Sequence, residues 1–165
     1  MILGAGLDTF AQRRPEPASH MHVFEIDQPG PQAWKRQRLA DLGYGIPPFL
    51  HLVPVDFEAG DDWWTRLAAA GFDAAKPAVV ASAGVSMYLT RDAIIATLQR
   101  VAALAPGSSF AMTFMLPIDM LDAEIRTGVE RAAAGAKASG TPFISFFAPA
   151  AMLAMARDAG FRQAR

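Results

Sequence analysis

Ile2-Leu3-Gly4-Ala5-Gly6-Leu7-Asp8-Thr9 opens the chain, and its reading decides the fold. Two apolar residues run into a turn holding two glycines, and a helix is expected to follow. Glycine lets a backbone turn sharply and pass close to a ligand, while the first turn of a helix offers N–H groups without intrahelical partners. The stretch reads as strand, tight turn and helix N-terminus, with room for a ligand at the turn.

Working outward, short runs of strand type recur at residues 22–26, 50–55, 78–82 and 109–115. Helical patterns alternate with them. Residues 31–42 have a proline in the first turn and Gly43 just past the end. Residues 61–70 begin with acids and stop at Gly71. Thr90 caps a helix whose apolar face is Ile94, Leu98, Val101 and Ala105, ended by Pro106-Gly107. Ile118, Leu121, Ile125 and Val129 are expected to form one stripe on a further helix, and residues 149–159 form the last, closed by Gly160. Apolar strands alternating with helices indicate an α/β fold, a mainly parallel sheet with helices on both faces. Residues 1–165 fit the size of a single domain. The first strand is short, and Gly160-Phe161-Arg162 reads as the entry to another strand, so the expected domain is partial, cut at both ends.

Hydrophobic residues make up 52% of the chain and charged residues 19%, which excludes a disordered segment. Fifteen Lys and Arg against 16 Asp and Glu leave a net charge of −1, without the basic excess of a nucleic-acid binder. Cysteine is absent, which removes disulfides, thiolate zinc sites and cysteine nucleophiles. The start lacks the pattern of a signal peptide, and no apolar run reaches the roughly 18–20 residues of a membrane span. The expectation is a cytoplasmic protein with neither nucleic acid nor membrane as partner. No metal site is expected either: Asp119, Asp122 and Glu124 lie close together without histidine, the pattern of a solvated face.

In an open parallel sheet, ligands bind at the carboxyl ends of the strands. There the sequence places Gly4 and Gly6 with Asp8, then Asp27 preceded by Glu25 and followed by Gln28, then Asp56-Phe57, then Gly84 with Tyr88 close behind. A carboxylate at the end of the second strand, 21 residues beyond Gly6, is placed to accept both hydroxyls of a ribose. Asp56 is placed to accept from an adenine amino group, with Phe57 against the base. Taken singly, the glycines mark a tight turn, and Asp27 and Asp56 initiate turns. Taken in order, they describe a pocket for an adenosine. The dinucleotide fingerprint G-x-G-x-x-G wants a third glycine where this chain has Thr9. S-adenosylmethionine carries no phosphates and does not need it, so this cofactor is preferred to NAD.

The motifs Ile2–Phe10, Val23-Phe24-Glu25-Ile26-Asp27-Gln28-Pro29 with Lys35-Arg36, Val53-Pro54-Val55-Asp56-Phe57 and Gly84-Val85-Ser86-Met87-Tyr88-Leu89-Thr90 resemble the leucine carboxyl methyltransferase family. The resemblance is closest to its bacterial branch of S-adenosylmethionine-dependent O-methyltransferases, and covers nearly the whole chain. It implies a Rossmann-like class I methyltransferase core whose terminal antiparallel strands, and a preceding helical region over the site, are expected to be missing here. It implies that Gly4 and Gly6, with Asp8, lie against the methionine part of the cofactor. Asp27, with Gln28, would hold the ribose, and Asp56 and Phe57 would meet the adenine. Gly84 and the segment to Tyr88 would border the sulfonium and a small-molecule acceptor. Ala83 stands where many members carry a glutamate.

Methyl transfer from a sulfonium is an in-line displacement, governed by positioning and desolvation. His20, His22 and His51 fall at the amino ends of strands, away from the expected pocket, and read as surface or packing residues. Tyr88 is the better-placed polar side chain, read as positioning the acceptor or as packing. Trp34, Trp63 and Trp64 lie in helices, and the methionines read as core. Two other functions fit the same residues: a Rossmann reductase using NAD, and a cofactor-binding module without turnover. With so apolar a composition and open sheet edges, the chain is expected to be marginally stable or to self-associate.

Overall fold

The computed structural model describes residues 1–59 and 62–165. A five-stranded sheet has the order β3-β2-β1-β4-β5, formed by β1 (Ile2–Leu3), β2 (Val23–Asp27), β3 (Leu50–Pro54), β4 (Val79–Ser82) and β5 (Ser109–Met112). The pairings β1–β2, β1–β4 and β2–β3 are parallel, with Leu3 opposite both Ile26 and Ser82, and Ile26 opposite Val53. The first strand is thus central although only two residues long, and β3 and β5 are the edges of the described sheet. Strand order reverses beside β1, which is the switch point of an open α/β sheet.

The chain divides into two compact units. The first comprises Met1–Ser82 and Leu104–Ala111. Here α1 (Phe10–Arg13) and α2 (Pro15–Ser19) follow the glycine turn, α3 (Pro29–Asp41) follows β2, and α4 (Trp63–Ala69) follows β3. Ala11 of α1, Ala18 of α2, Val23 and Leu50 form one buried cluster. Side chains alternate along a strand, so Val23, Glu25 and Asp27 share the face of β2 that carries α1 to α3. Phe24 and Ile26 share the other, where Phe72, just past α4, meets Phe24 edge-on at 5.3 Å between ring centroids. Both faces of this part of the sheet are covered. The rings continue as a chain: Phe72 to Trp64 at 5.8 Å, Trp64 to Trp63 at 5.4 Å, and Trp63 to Phe57 at 5.8 Å, each tilted edge to face.

The second unit comprises Ala83–Ala103 and Met112–Arg165. It holds α5 (Arg91–Ala102), α6 (Ala123–Ala138) and α7 (Pro149–Asp158). α5 buries Ile94, Thr97, Leu98 and Val101, and α7 buries Met152 and Met155. Gly160, at φ +110°, ends α7 where a side-chain carbon would stand 3.6 Å from Ala102 of α5. The Thr90 hydroxyl accepts from the Ala93 N–H at 3.3 Å, capping α5 as expected. Thr90→Ala should cost about 1 kcal/mol of stability, read as a shift of the urea midpoint at constant slope. An unshifted midpoint would remove the cap from the account.

Several boundaries differ from the sequence expectation. Ile118, Leu121, Ile125 and Val129 do not share a helix. Ile118–Met120 is a separate 3-10 turn, Leu121 and Asp122 are extended, and α6 starts at Ala123 and buries no residue. Asp122 stands at the N-cap position in extended conformation, where aspartate favours a helix start over a helix interior. α5 ends at Ala102, before Pro106-Gly107. α4 starts at Trp63 with Asp62 as its cap, and Asp61 lies outside the described residues. β5 stops at Met112 rather than 115. The helix expected after the glycine turn is α1, whereas α2 had no counterpart in the sequence expectation, because Pro15 and Pro17 look like breakers, yet proline is tolerated in a helix's first turn.

Candidate functional site

The glycine turn is built onto β2. The N–H groups of Gly4 and Ala5 both donate to the carbonyl of Ile26, at 2.7 and 3.1 Å. Gly4 has φ +65° and Gly6 φ +47°, a region that costs an L-residue roughly 1–2 kcal/mol. Nothing lies within 4 Å of where a side-chain carbon on Gly6 would stand, so backbone conformation, not crowding, selects glycine there. Asp8 Oδ1 then accepts from the Phe10 N–H at 2.8 Å and so starts α1.

Asp27 meets this turn from the adjacent strand. Its Oδ2 accepts from the Gly6 N–H, and its Oδ1 from the Gln28 N–H at 2.7 Å. Gly4, Gly6, Asp8, Asp27 and Gln28 therefore form one connected corner at the carboxyl ends of β1 and β2. The ladder continues past β3, with the Val55 N–H donating to the Asp27 carbonyl at 2.8 Å, so Asp56 follows immediately beside that corner. Asp56 Oδ1 accepts from the Glu58 N–H at 2.9 Å, and Phe57 is half-buried against Trp63. Asp27 and Asp56 thus both do the turn-forming work that their sequence context suggests. An ionised carboxylate offers about four acceptor positions, so Asp27, with two of them used by the Gly6 and Gln28 N–H groups, keeps capacity for a ligand.

Sequence reasoning missed what lies directly beneath. Glu25, 0% exposed, pairs with Lys35 of α3, 3% exposed. Gln32 of α3 donates to the Glu25 carbonyl at 2.8 Å. Glu25 Oε1 makes no hydrogen bond within the protein. Burial holds the Glu25 carboxyl above its ordinary value, the Lys35 ammonium works against that, and the charges of Asp8 and Asp27 add to the rise. The signal available in the sequence was alternation: Glu25 shares the covered face with Val23, so it needs a buried cation, and a lysine on the following helix can supply one.

Gly84 and Tyr88 belong to the second unit. Gly84 follows β4 directly after Ala83, at φ +72°, and its N–H donates to Thr113 Oγ1 at 2.8 Å. Ser86 Oγ donates to the Thr113 carbonyl at 2.9 Å, which fixes the 3-10 turn Ser86–Tyr88. The Ile144 N–H donates to the Met87 carbonyl at 2.7 Å, bringing Phe143 edge-on to Tyr88 at 5.3 Å. Tyr88 stays 41% exposed.

The histidines lie at the amino ends of strands. His51 is the second residue of β3, stacked on Phe24 at 4.6 Å, with Nε2 3.1 Å from His22 Nδ1. Burial, and secondarily the His22 charge, hold His51 below its ordinary value of 6.5. A depressed base is protonated more readily in the unfolded chain, so its contribution to stability is complete above about pH 6.5 and is lost as pH falls from there through the lower folded value. His51→Gln should therefore reduce the loss of melting temperature between about pH 8 and pH 5. An equal loss in both proteins would show that the pair does not carry it. Among the described residues no group of three or more His, Cys, Asp or Glu is placed to hold a metal, and no helix is long and apolar enough to cross a membrane.

The family model described as leucine carboxyl methyltransferase matches residues 1–102. This chain belongs to the leucine carboxyl methyltransferase family. Curated relatives include "Putative S-adenosyl-L-methionine-dependent methyltransferase YktD" of Bacillus subtilis, 35% identical over 148 residues, which are 89% of this chain and 48% of that protein. "Putative S-adenosyl-L-methionine-dependent methyltransferase Rv1729c" of Mycobacterium tuberculosis is 40% identical over 124 residues, 74% of this chain and 39% of that one. The chain thus spans half or less of the length of these family members. Among solved structures, one described as "PigF with SAH" is similar in fold at a TM-score of 0.65 and 19% identity, over 99% of this chain and 45% of its own. An apo structure of the S-adenosylmethionine-dependent methyltransferase SibL matches at a TM-score of 0.59 and 17% identity, over 98% of this chain and 43% of its own. The fold is the Rossmann-like α/β fold of methyltransferases, as the sequence led us to expect.

Proposed function

We propose that this chain is the cofactor-binding part of an S-adenosylmethionine-dependent methyltransferase of the cytoplasm that methylates a carboxylate or hydroxyl oxygen of a small molecule. The observation that carries the reading is the corner where the Gly4–Gly6 turn and the Asp27 carboxylate meet through the Gly6 N–H. Its donor set suits this cofactor. Two positive-φ glycines keep side chains off positions 4 and 6 of the turn, Asp27 offers acceptors for ribose hydroxyls, and Thr9 takes the place of the third glycine that a pyrophosphate would want.

On this reading Gly4, Gly6 and Asp8 lie along the methionine part, and Asp27 and Gln28 hold the ribose. Asp56 and the Phe57 backbone take the adenine edge, while Gly84 to Tyr88 border the reacting centre. When bound, S-adenosylmethionine supplies an electrophilic methyl on a sulfonium. The protein's part is to orient the acceptor oxygen in line and to exclude water. A carboxylate acceptor needs no base, and Tyr88 then serves by donating a hydrogen bond to the acceptor oxygen.

Calorimetric titration with S-adenosylhomocysteine and with NAD tests the cofactor. The first should bind and the second should not, and the reverse result would replace the methyltransferase reading with a reductase. Labelled-methyl transfer to small carboxylic acids and phenols tests the reaction class. Binding without transfer to any of them would favour a module without turnover.

A further inference from the structure

We infer that the buried Glu25–Lys35 pair is a positioning element for the cofactor corner, holding Asp27 and the start of α3 in the one arrangement that serves a ribose. The inference rests on the reading of Asp27 as the ribose carboxylate. Glu25 and Asp27 are two residues apart on the same face of β2, and Lys35 lies on the helix that begins directly after Gln28. The segment between the two partners is the corner Asp27-Gln28-Pro29, whose Gln28 N–H holds Asp27 Oδ1. Lys35 to Glu25 and Gln32 to the Glu25 carbonyl fasten the helix to the strand on the far side of that corner.

Stability alone does not account for this construction. Replacing a buried ion pair by apolar side chains of similar volume is commonly neutral or stabilising, whereas losing one partner is costly. Glu25 is wholly buried with Oε1 left without a protein partner, so the pair is not arranged for maximal satisfaction. It does tie the strand that carries Asp27 to the helix that follows Gln28. The charges of Asp8 and Asp27 bear on Glu25, and the Lys35 ammonium beside it offsets part of that repulsion.

The test separates positioning from packing. In Glu25→Met/Lys35→Met, where the pair is replaced by apolar side chains, the melting temperature should return to within a few degrees of wild type. The dissociation constant for S-adenosylhomocysteine should remain at least about tenfold weaker. Glu25→Gln, which keeps the shape and removes the charge, should weaken it by a similar factor in a protein whose circular dichroism is unchanged, and serves if the double variant does not fold. Wild-type affinity in either folded variant would overturn the inference and leave the Asp27 reading standing. A wild-type chain that does not bind S-adenosylhomocysteine would overturn the cofactor reading and this inference with it.

Discussion

Replacing Asp27 by alanine is expected to weaken S-adenosylhomocysteine binding by about 1.5–3 kcal/mol, the range for hydrogen bonds to a charged group, or roughly 10- to 150-fold. The loss has two sources. The ribose hydroxyls lose their charged acceptor, and the Gly6 N–H loses the oxygen that now holds the glycine turn against β2. Asp27 is only partly buried, so the variant leaves no cavity in the core and should fold. Calorimetry on the folded variant measures the effect, with the melting temperature recorded beside it. Unchanged affinity would remove Asp27 from the ribose site.

Ile26→Ala should lower stability by about 2–5 kcal/mol. Parallel register sets Ser82, Leu3, Ile26 and Val53 in one row across four strands. In that row Leu3, Ile26 and Val53 are 1%, 0% and 3% exposed. A void at Ile26 has fixed backbone on both sides, so collapse can fill little of it. Ile125→Ala on α6, 55% exposed, removes the same type of side chain from water-facing surface and should stay within about 0.5 kcal/mol. Urea titrations of the two variants make the comparison. A cost below about 1 kcal/mol at Ile26 would mean that this row is not the packed centre of the sheet.

The sheet was legible because its strands are short, mainly apolar runs, the first four ending in glycine or aspartate or followed by one within two residues, a pattern that depends on local sequence. The glycine turn and the carboxylates after the second and third strands were legible for the same reason: each sits where a strand stops. The helix ends were less so. Thr90 and Gly160 mark their positions through local hydrogen bonding and φ, whereas the stripe from Ile118 to Val129 has helical spacing across a stretch the chain breaks at Leu121 and Asp122. Spacing alone does not reveal such a break, because apolar positions three and four apart also arise across two short elements. The Glu25–Lys35 pair was legible only in part. Alternation puts Glu25 on the covered face, but whether Lys35 turns inward across the layer is decided by packing that no local pattern encodes.

The chain of rings from Phe57 to Phe24 gives the protein a built-in optical asymmetry. Trp34, Trp63 and Trp64 are its three tryptophans, and all lie in the unit that carries the glycine turn. Trp63 and Trp64 face each other edge-on within that chain. Tryptophan fluorescence, excited apart from tyrosine, therefore follows the disassembly of the first unit, while α5, α6 and α7 carry no tryptophan. Far-ultraviolet dichroism sees the helices of both. Denaturation curves from the two signals will coincide if the units melt as one, and any gap between them measures how far the second unit unfolds on its own.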